Sequence, residues 1–399
     1  MPESVRLETL EIDAPGYLAK YQELLTLARE TLPQKSAEAA RSTLATTAAE
    51  LGLELVDNKG TAPVFGLLPP EGRAPRVTLF AAWHAETLPV MPAAVEGAER
   101  LALVATSAAL AAATGAGALA AGEAALIVAP GAAHGSRVLD PFLREHRART
   151  AAPTGYWVRV TSAAPKRRRL FLGARGRVVI GLWGGEASPY MIRDEVVAAL
   201  EDAAYGPRPL DFELLRKLAE SRGVIDFLEE TVEDPEAAST GDAETRLRSA
   251  LFLPHATVIR PGTSHPDRPS AWLTFDTAEG MEGPDILARV RAAAPGSRVE
   301  MAESLPWDRI GIHHSAIQTL IPLSKSRSAG PEIWPSSPWA TPSGVFTRAL
   351  GTPLAEWGVP LPTGNAVRFP KPEAFEAMVR EVAELLLRAV GALEESATS

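Results

Sequence analysis

No cysteine occurs in the 399 residues. That excludes a disulfide framework, a thiolate nucleophile, a zinc finger and an iron–sulfur cluster, and it fits a cytoplasmic location. There is no excess of positive charge either: 40 Lys and Arg stand against 49 Asp and Glu, a net charge of −9. Nucleic acid and anionic membrane are therefore not expected as partners. The opening stretch, MPESVRLETLEIDAPGYL, has neither a basic flank nor an apolar core, so no signal peptide is expected. No internal repeat, Gly-x-Ser-x-Gly elbow or phosphate loop is found. One uncharged run, residues 101–122, is long enough to span a bilayer. It consists mostly of Ala, Gly, Ser and Thr, and Gly115-Ala116-Gly117 interrupts it. A buried Ala-rich helix is expected there, and no membrane span.

What is present is an alternation of apolar strands and amphipathic helices. Helices are predicted over 16–30 and 35–52, the second ending at Gly52. Strands follow at LELVDN and VFGLLP, and a buried strand at RVTLFAAW. A helix over 97–114, strand 124–130, helix 136–149 and strand 155–161 continue the pattern, which indicates an α/β domain with a mostly parallel sheet. From about Leu170 the pattern changes to strand, turn, strand, then helices at 189–203 and 211–222. The polar stretch 228–248 reads as an exposed loop or short linker helix. Strand, strand, helix and strand up to residue 304 complete a small α+β unit. The predicted organisation is discontinuous: 1–169 and 302–399 form the larger α/β domain, closed by a helix at 372–393, and 170–301 is inserted in it.

Several short motifs lie at element ends. A strand ends in Ala82-Trp83-His84-Ala85-Glu86-Thr87-Leu88-Pro89, and a helix starts at Gly97-Ala98-Glu99-Arg100. Ala129-Pro130-Gly131-Ala132-Ala133-His134-Gly135-Ser136 leads into LDPFLREH. GLWGGEASP occupies 181–189, and Val367-Arg368-Phe369-Pro370-Lys371 precedes the last helix. In this order the chain resembles the M20 zinc metallopeptidases, especially the carnosine-type dipeptidases, with desuccinylases and aminoacylases as further relatives. The resemblance covers nearly the whole chain and is remote. It implies an aminopeptidase-type α/β catalytic domain with an inserted α+β lid that often also makes the dimer.

The same resemblance implies a dinuclear zinc site, and here the chain departs from it. His84 sits in the place of a ligand histidine and Glu86 in that of the carboxylate that orients it. Arg100 stands where the family has the metal-bridging Asp. Ala132 and Ala133 replace the general-base and ligand glutamates, Val160 or Thr161 a ligand Asp, and Val367 the last ligand His. The family's lid histidine has no counterpart, because RGRVVI runs straight into GLWGG, and its lid arginine falls near Asp276. Zinc catalysis needs several N/O donors and an activated water, so no metal and no cofactor are expected.

The remaining polar candidates are His84 and Glu86 as an acid–base pair, with Arg100, Trp83, His134, Trp334, Ser337, Trp339, Asn365 and Arg368 for substrate binding. Each has a plainer alternative. Glu86 neutralises Arg100, and His84 is then a hydrogen-bonded core residue. Arg100 either binds a substrate carboxylate or pairs with Glu86 or Glu99. Trp334 and Trp339, in PEIWPSSPWATPSG, either line a pocket or pin a Pro-rich loop. His313 and His314 are read as neighbours on a strand, one buried and one exposed, and the basic run AAPKRRRLF as a solvated hinge. The favoured function is a metal-independent enzyme on a metallopeptidase fold. It would act on an amino-acid, amide or peptide-like small molecule by bond formation, cyclisation or rearrangement, in bacterial specialised metabolism. The alternative is a non-catalytic pseudopeptidase that binds a ligand or an active homologue, and metal-dependent hydrolysis is least favoured. A homodimer through the lid, or pairing with a homologue, is the expected assembly.

Overall fold

The computed structural model describes residues 4–30, 33–58, 63–82, 93–120, 122–129, 136–161, 167–202, 206–221, 223–231, 241–260, 269–360 and 370–394. The chain forms two compact units, one of residues 1–170, 312–332 and 346–399, the other of 171–311 and 333–345.

The chain opens with helices α1 (Ala14–Glu30) and α2 (Pro33–Leu51). Gly52, at φ +62°, ends α2 as expected, since the left-handed position costs glycine little. Next come β1 (Glu54–Asp57), β2 (Phe65–Leu68), β3 (Val77–Ala82), α3 (Ala93–Gly115), β4 (Ala124–Ala129), α4 (Ser136–Glu145), α5 (Arg147–Thr150) and β5 (Thr154–Thr161). There follow β6 (Arg168–Phe171), β7 (Gly173–Ala174), β8 (Gly176–Trp183), α6 (Pro189–Glu201), α7 (Pro209–Ala219), α8 (Val224–Thr231), α9 (Ala243–Phe252), β9 (His255–Ile259), β10 (Ala271–Thr277), α10 (Gly283–Ala293), β11 (Arg298–Leu305) and β12 (Asp308–Arg309). The last elements are α11 (Ser315–Arg327), β13 (Pro331–Trp334), α12 (Ser343–Leu350), β14 (Leu354–Pro360) and α13 (Pro372–Ala389).

The first unit is built on a mainly parallel sheet with strand order β1-β2-β4-β3-β5-β14. Strands β4, β3, β5 and β14 run parallel, and β1 and β2 add an antiparallel margin. Every residue of β3 and β4 is buried, as the unbroken apolar runs VTLFAA and AALIVA require of strands covered on both faces. The uncharged run proves to be the body of α3. Its Ala102, Ala105, Ala109 and Ala113 are buried, and small side chains let the helix lie close to β3, β5, α1 and α13. Among the described residues no helix is long and apolar enough to cross a membrane. Helix α13 buries Phe375, Met378, Val379, Val382 and Leu386 at helical spacing.

The second unit has an antiparallel sheet of order β11-β8-β10-β9, with α6 and α10 packed against it. Strand β8 is continuous and paired on both sides from Arg177 to Leu182, so RGRVVI does run directly into the Gly-Gly turn. The return to the larger unit was expected at residue 302. Strand β11 passes through that point while paired to β8, and residues 333–345 also belong to the second unit.

Three local expectations are corrected. The stretch 228–248 is helical at both ends, in α8 and α9, and 232–240 lie outside the described residues. Asp242 caps α9, its carboxylate accepting from the Thr245 N–H at 2.8 Å, and Leu247, Ala250 and Leu251 turn inward. His313 and His314 are not on a strand. His314 is the N-cap of α11, with Nδ1 accepting from the Ala316 N–H at 3.2 Å. Finally, the basic run is not all solvated, because Arg168 is buried and paired with Glu381.

Inside the second unit Arg175 is wholly enclosed. Its guanidinium donates to the carbonyls of Ala250 and Leu253 at the end of α9 and to that of Asp276 in β10. Cations suit a helix C-terminus. Arg177 and Asp276, on neighbouring strands, form a two-pronged ion pair at 2.7 and 3.2 Å.

Candidate functional site

In open α/β sheets ligands bind beyond the carboxyl ends of the strands. Here the four parallel strands end at Ala82, Ala129, Thr161 and Pro360. Ala82 is in register with Ala129, and Thr161 with Pro360, so these ends share one edge of the sheet. The sequence leaving that edge carries most of the predicted polar residues: Trp83, His84 and Glu86 after β3, His134 after β4, Asn365 and Arg368 after β14. All six lie outside the described residues, as do Ala132, Ala133 and Val367.

Arg100 is described. The helix of a parallel crossover runs back along its strand, so the start of α3 faces the carboxyl ends, and Arg100 lies two turns in. Its side chain is 3% exposed and is not left unpaired. A guanidinium has five donors and no acceptor. It can hold a carboxylate and cannot ligate a cation.

At the end of β5, Thr161 packs beside Gly358, where an added Cβ would come within 2.9 Å of the Thr161 methyl. One step back, Arg159 donates to Glu356 on β14 at 2.9 Å and covers the Trp157 ring, 4.8 Å from its centre. Trp157 meets Phe80 edge-on at 5.9 Å, and Phe80 meets Phe346 at 5.6 Å. An aromatic floor with a charged pair above it therefore underlies the edge. The pair escapes sequence reading because its members are far apart in the chain.

Trp334, Ser337 and Trp339 lie in the second unit. Trp334 is fully buried among Phe171 and Phe227, and Trp339 meets the same two rings at 5.2 and 5.9 Å. Ser337 is buried, its hydroxyl donating to the Trp339 carbonyl at 2.5 Å and its N–H to the Gly173 carbonyl at 2.9 Å. These contacts pin the Pro-rich loop.

The resemblance implies zinc, so the donor set matters. Among the described residues no three His, Asp or Glu side chains come together as a metal site. The described places that the family gives to metal-ligand aspartates offer a guanidinium, Arg100, and either an apolar side chain, Val160, or a hydroxyl, Thr161. A dinuclear zinc site takes deprotonated N and O donors, and these residues do not fit it.

No protein-family model matches the chain, and no curated protein matches it. Solved structures do. The M20 family metallo-carboxypeptidase Sso-CP2 from Sulfolobus solfataricus superposes with a TM-score of 0.70 at 12% identity, over 95% of this chain and 100% of that one. The di-peptidase Dug1p from Saccharomyces cerevisiae gives 0.66 at 12% identity, over 95% and 97%. Human carnosine dipeptidase 1 gives 0.63 at 10% identity, over 95% and 97%. At these identities the likeness is one of fold, and the chain has the fold of the M20 metallopeptidases.

Proposed function

We propose that this protein is an enzyme that acts without zinc on an amino-acid, amide or peptide-like small molecule at the carboxyl edge of its parallel sheet. The observation that carries the reading is Arg100, a buried guanidinium in the helix that follows β3. A permanent cation there suits a substrate carboxylate, which it can hold in two-pronged fashion. His84, oriented by Glu86, is the proposed general acid–base group, because an imidazole with a carboxylate partner titrates near neutrality. Reactions of this kind include bond formation, cyclisation and rearrangement. The proposed location is the cytoplasm.

The test is turnover of a panel of dipeptides and N-acyl amino acids, with and without chelator, alongside elemental analysis. Expected are no stoichiometric zinc, no effect of chelator, and loss of turnover in folded His84→Ala. Zinc at one or two ions per chain, with turnover lost to chelator, would overturn the reading.

The proposed assembly is a homodimer through the second unit. Strand β9 is the edge of its sheet, and a groove of about 620 Å³ between β9 and α6 is lined by Tyr190, Arg193, Asp194, Glu201 and His255. Both signs of charge on one face suit a two-fold contact, which sets each charge against its opposite. Thr257→Lys at this edge should yield monomer by light scattering, while an unchanged mass would remove this face from consideration.

A further inference from the structure

Strands β6 and β13 pair into a two-stranded ribbon. Residues 168–170 and 331–332 belong to the first unit, Phe171 and 333–334 to the second. The root of the ribbon is held by one side chain. Arg168, 5% exposed, donates to both carboxylate oxygens of Glu381 on α13 at 2.9 Å and to the Gly358 carbonyl on β14 at 3.2 Å. Its guanidinium lies over Trp357, 5.5 Å from the ring centre, and Trp357 Nε1 donates to the same carboxylate at 3.1 Å. The Arg168 N–H donates to Ser328 Oγ, and Arg169 pairs with Glu332 of β13 at 3.3 Å.

We infer that Arg168 is a positioning residue. Together with Glu381 it fixes the first-unit part of the ribbon against the carboxyl end of β14, without adding to the stability of the fold. Two arguments support this. Two-pronged guanidinium–carboxylate pairing sets direction and register more sharply than apolar contact does. Burial also works against the charge on both partners, lowering Arg168 and raising Glu381 despite their mutual attraction, and like charge adds to it, Arg327 on Arg168 and Glu384 on Glu381. A buried pair of this kind is a poor source of net stability. The inference does not depend on the proposed reaction, because its test reads backbone protection instead of activity.

The test is amide hydrogen exchange at one pH in the parent, in Glu381→Gln and in the double variant Arg168→Met with Glu381→Met. The double variant is expected to melt within a few degrees of the parent. Its amides in β6, β13 and 357–359 should exchange at least tenfold faster, while β3 and β4 remain unchanged. A much lower melting temperature would mean that the pair serves stability and would overturn the inference. Unchanged protection in the ribbon, or faster exchange spread evenly through the unit, would do the same. Should the double variant fail to fold, Glu381→Gln decides on the same pattern.

Discussion

Arg175 allows a stability prediction to be worked from the structure. Consider Arg175→Met, which keeps most of the stem and removes the charge. Burial pushes the guanidinium down to about 10. At ~1.4 kcal/mol per pH unit, holding the charge there costs ~3 kcal/mol, which the variant recovers. Against this, the carbonyls of Ala250, Leu253 and Asp276 lose their donor. At ~2 kcal/mol for each orphaned acceptor the loss is ~6 kcal/mol, leaving a net destabilisation of ~3 kcal/mol. The lost hydrogen bonds are confined to the end of α9 and to β10, so a local readout resolves them best. The assay is therefore hydrogen exchange in the last turn of α9 and in β10, where ~3 kcal/mol reads as a roughly 100-fold acceleration. The native state holds this proton less tightly than the unfolded chain, so the group makes stability rise with pH only above about pH 10. The effect of the substitution should thus be flat from about pH 5 to 9. Acceleration below about fivefold, or a marked pH dependence in that window, would refute the reasoning, since both follow from three carbonyls held by a fully charged group.

Other predictions follow the same logic. Burial pushes the Asp276 carboxyl up, but Arg177, by charge and hydrogen bond, and then Arg175 and His255 hold it on balance below its ordinary 3.8. Its contribution is therefore present above that value and lost as pH falls through it, so Asp276→Asn should lose less of its urea midpoint between about pH 5 and 3 than the parent does. His314→Ala removes the cap of α11 and should speed exchange in its first turn by ~1 kcal/mol, whereas His314→Asn should restore protection. Arg100→Ala takes one member from a buried pairing and should cost ~3 kcal/mol in stability or in ligand binding, measured by unfolding and by titration with the best substrate of the panel.

Much of the first unit was legible because its signals are local. VTLFAA and AALIVA are apolar throughout, and a strand buried on both faces shows no other pattern. Helix α13 displays its apolar stripe in sequence. Helix α9 was obscured by charge, although Asp242 followed by Leu247, Ala250 and Leu251 carries the signal of a cap and an inward face. His314 misled because two adjacent histidines invite an alternating reading, whereas the following Ser-Ala-Ile-Gln begins a helix. Arg168 could not be read at all, since its partner lies 213 residues away and a run of arginines looks solvated. The site was legible as chemistry and not as geometry. The sequence shows which residue types leave each strand end, while the pairing of Arg159 with Glu356 depends on β5 lying beside β14.

The division of the chain between the units has a consequence for biosynthesis. The chain changes unit between residues 170 and 171, 311 and 312, 332 and 333, and 345 and 346. A domain emerging whole from the ribosome can fold before the next is made, but neither unit here is contiguous. The second waits for residues 333–345, which bring Trp334 and Trp339 to Phe171 and Phe227. The first waits for β14 and α13. In both units the earlier segments stand for a long interval with apolar faces uncovered, most of all β5, whose partner strand β14 is made some two hundred residues later. This arrangement exposes the nascent chain to aggregation and calls for chaperone cover until synthesis is nearly complete.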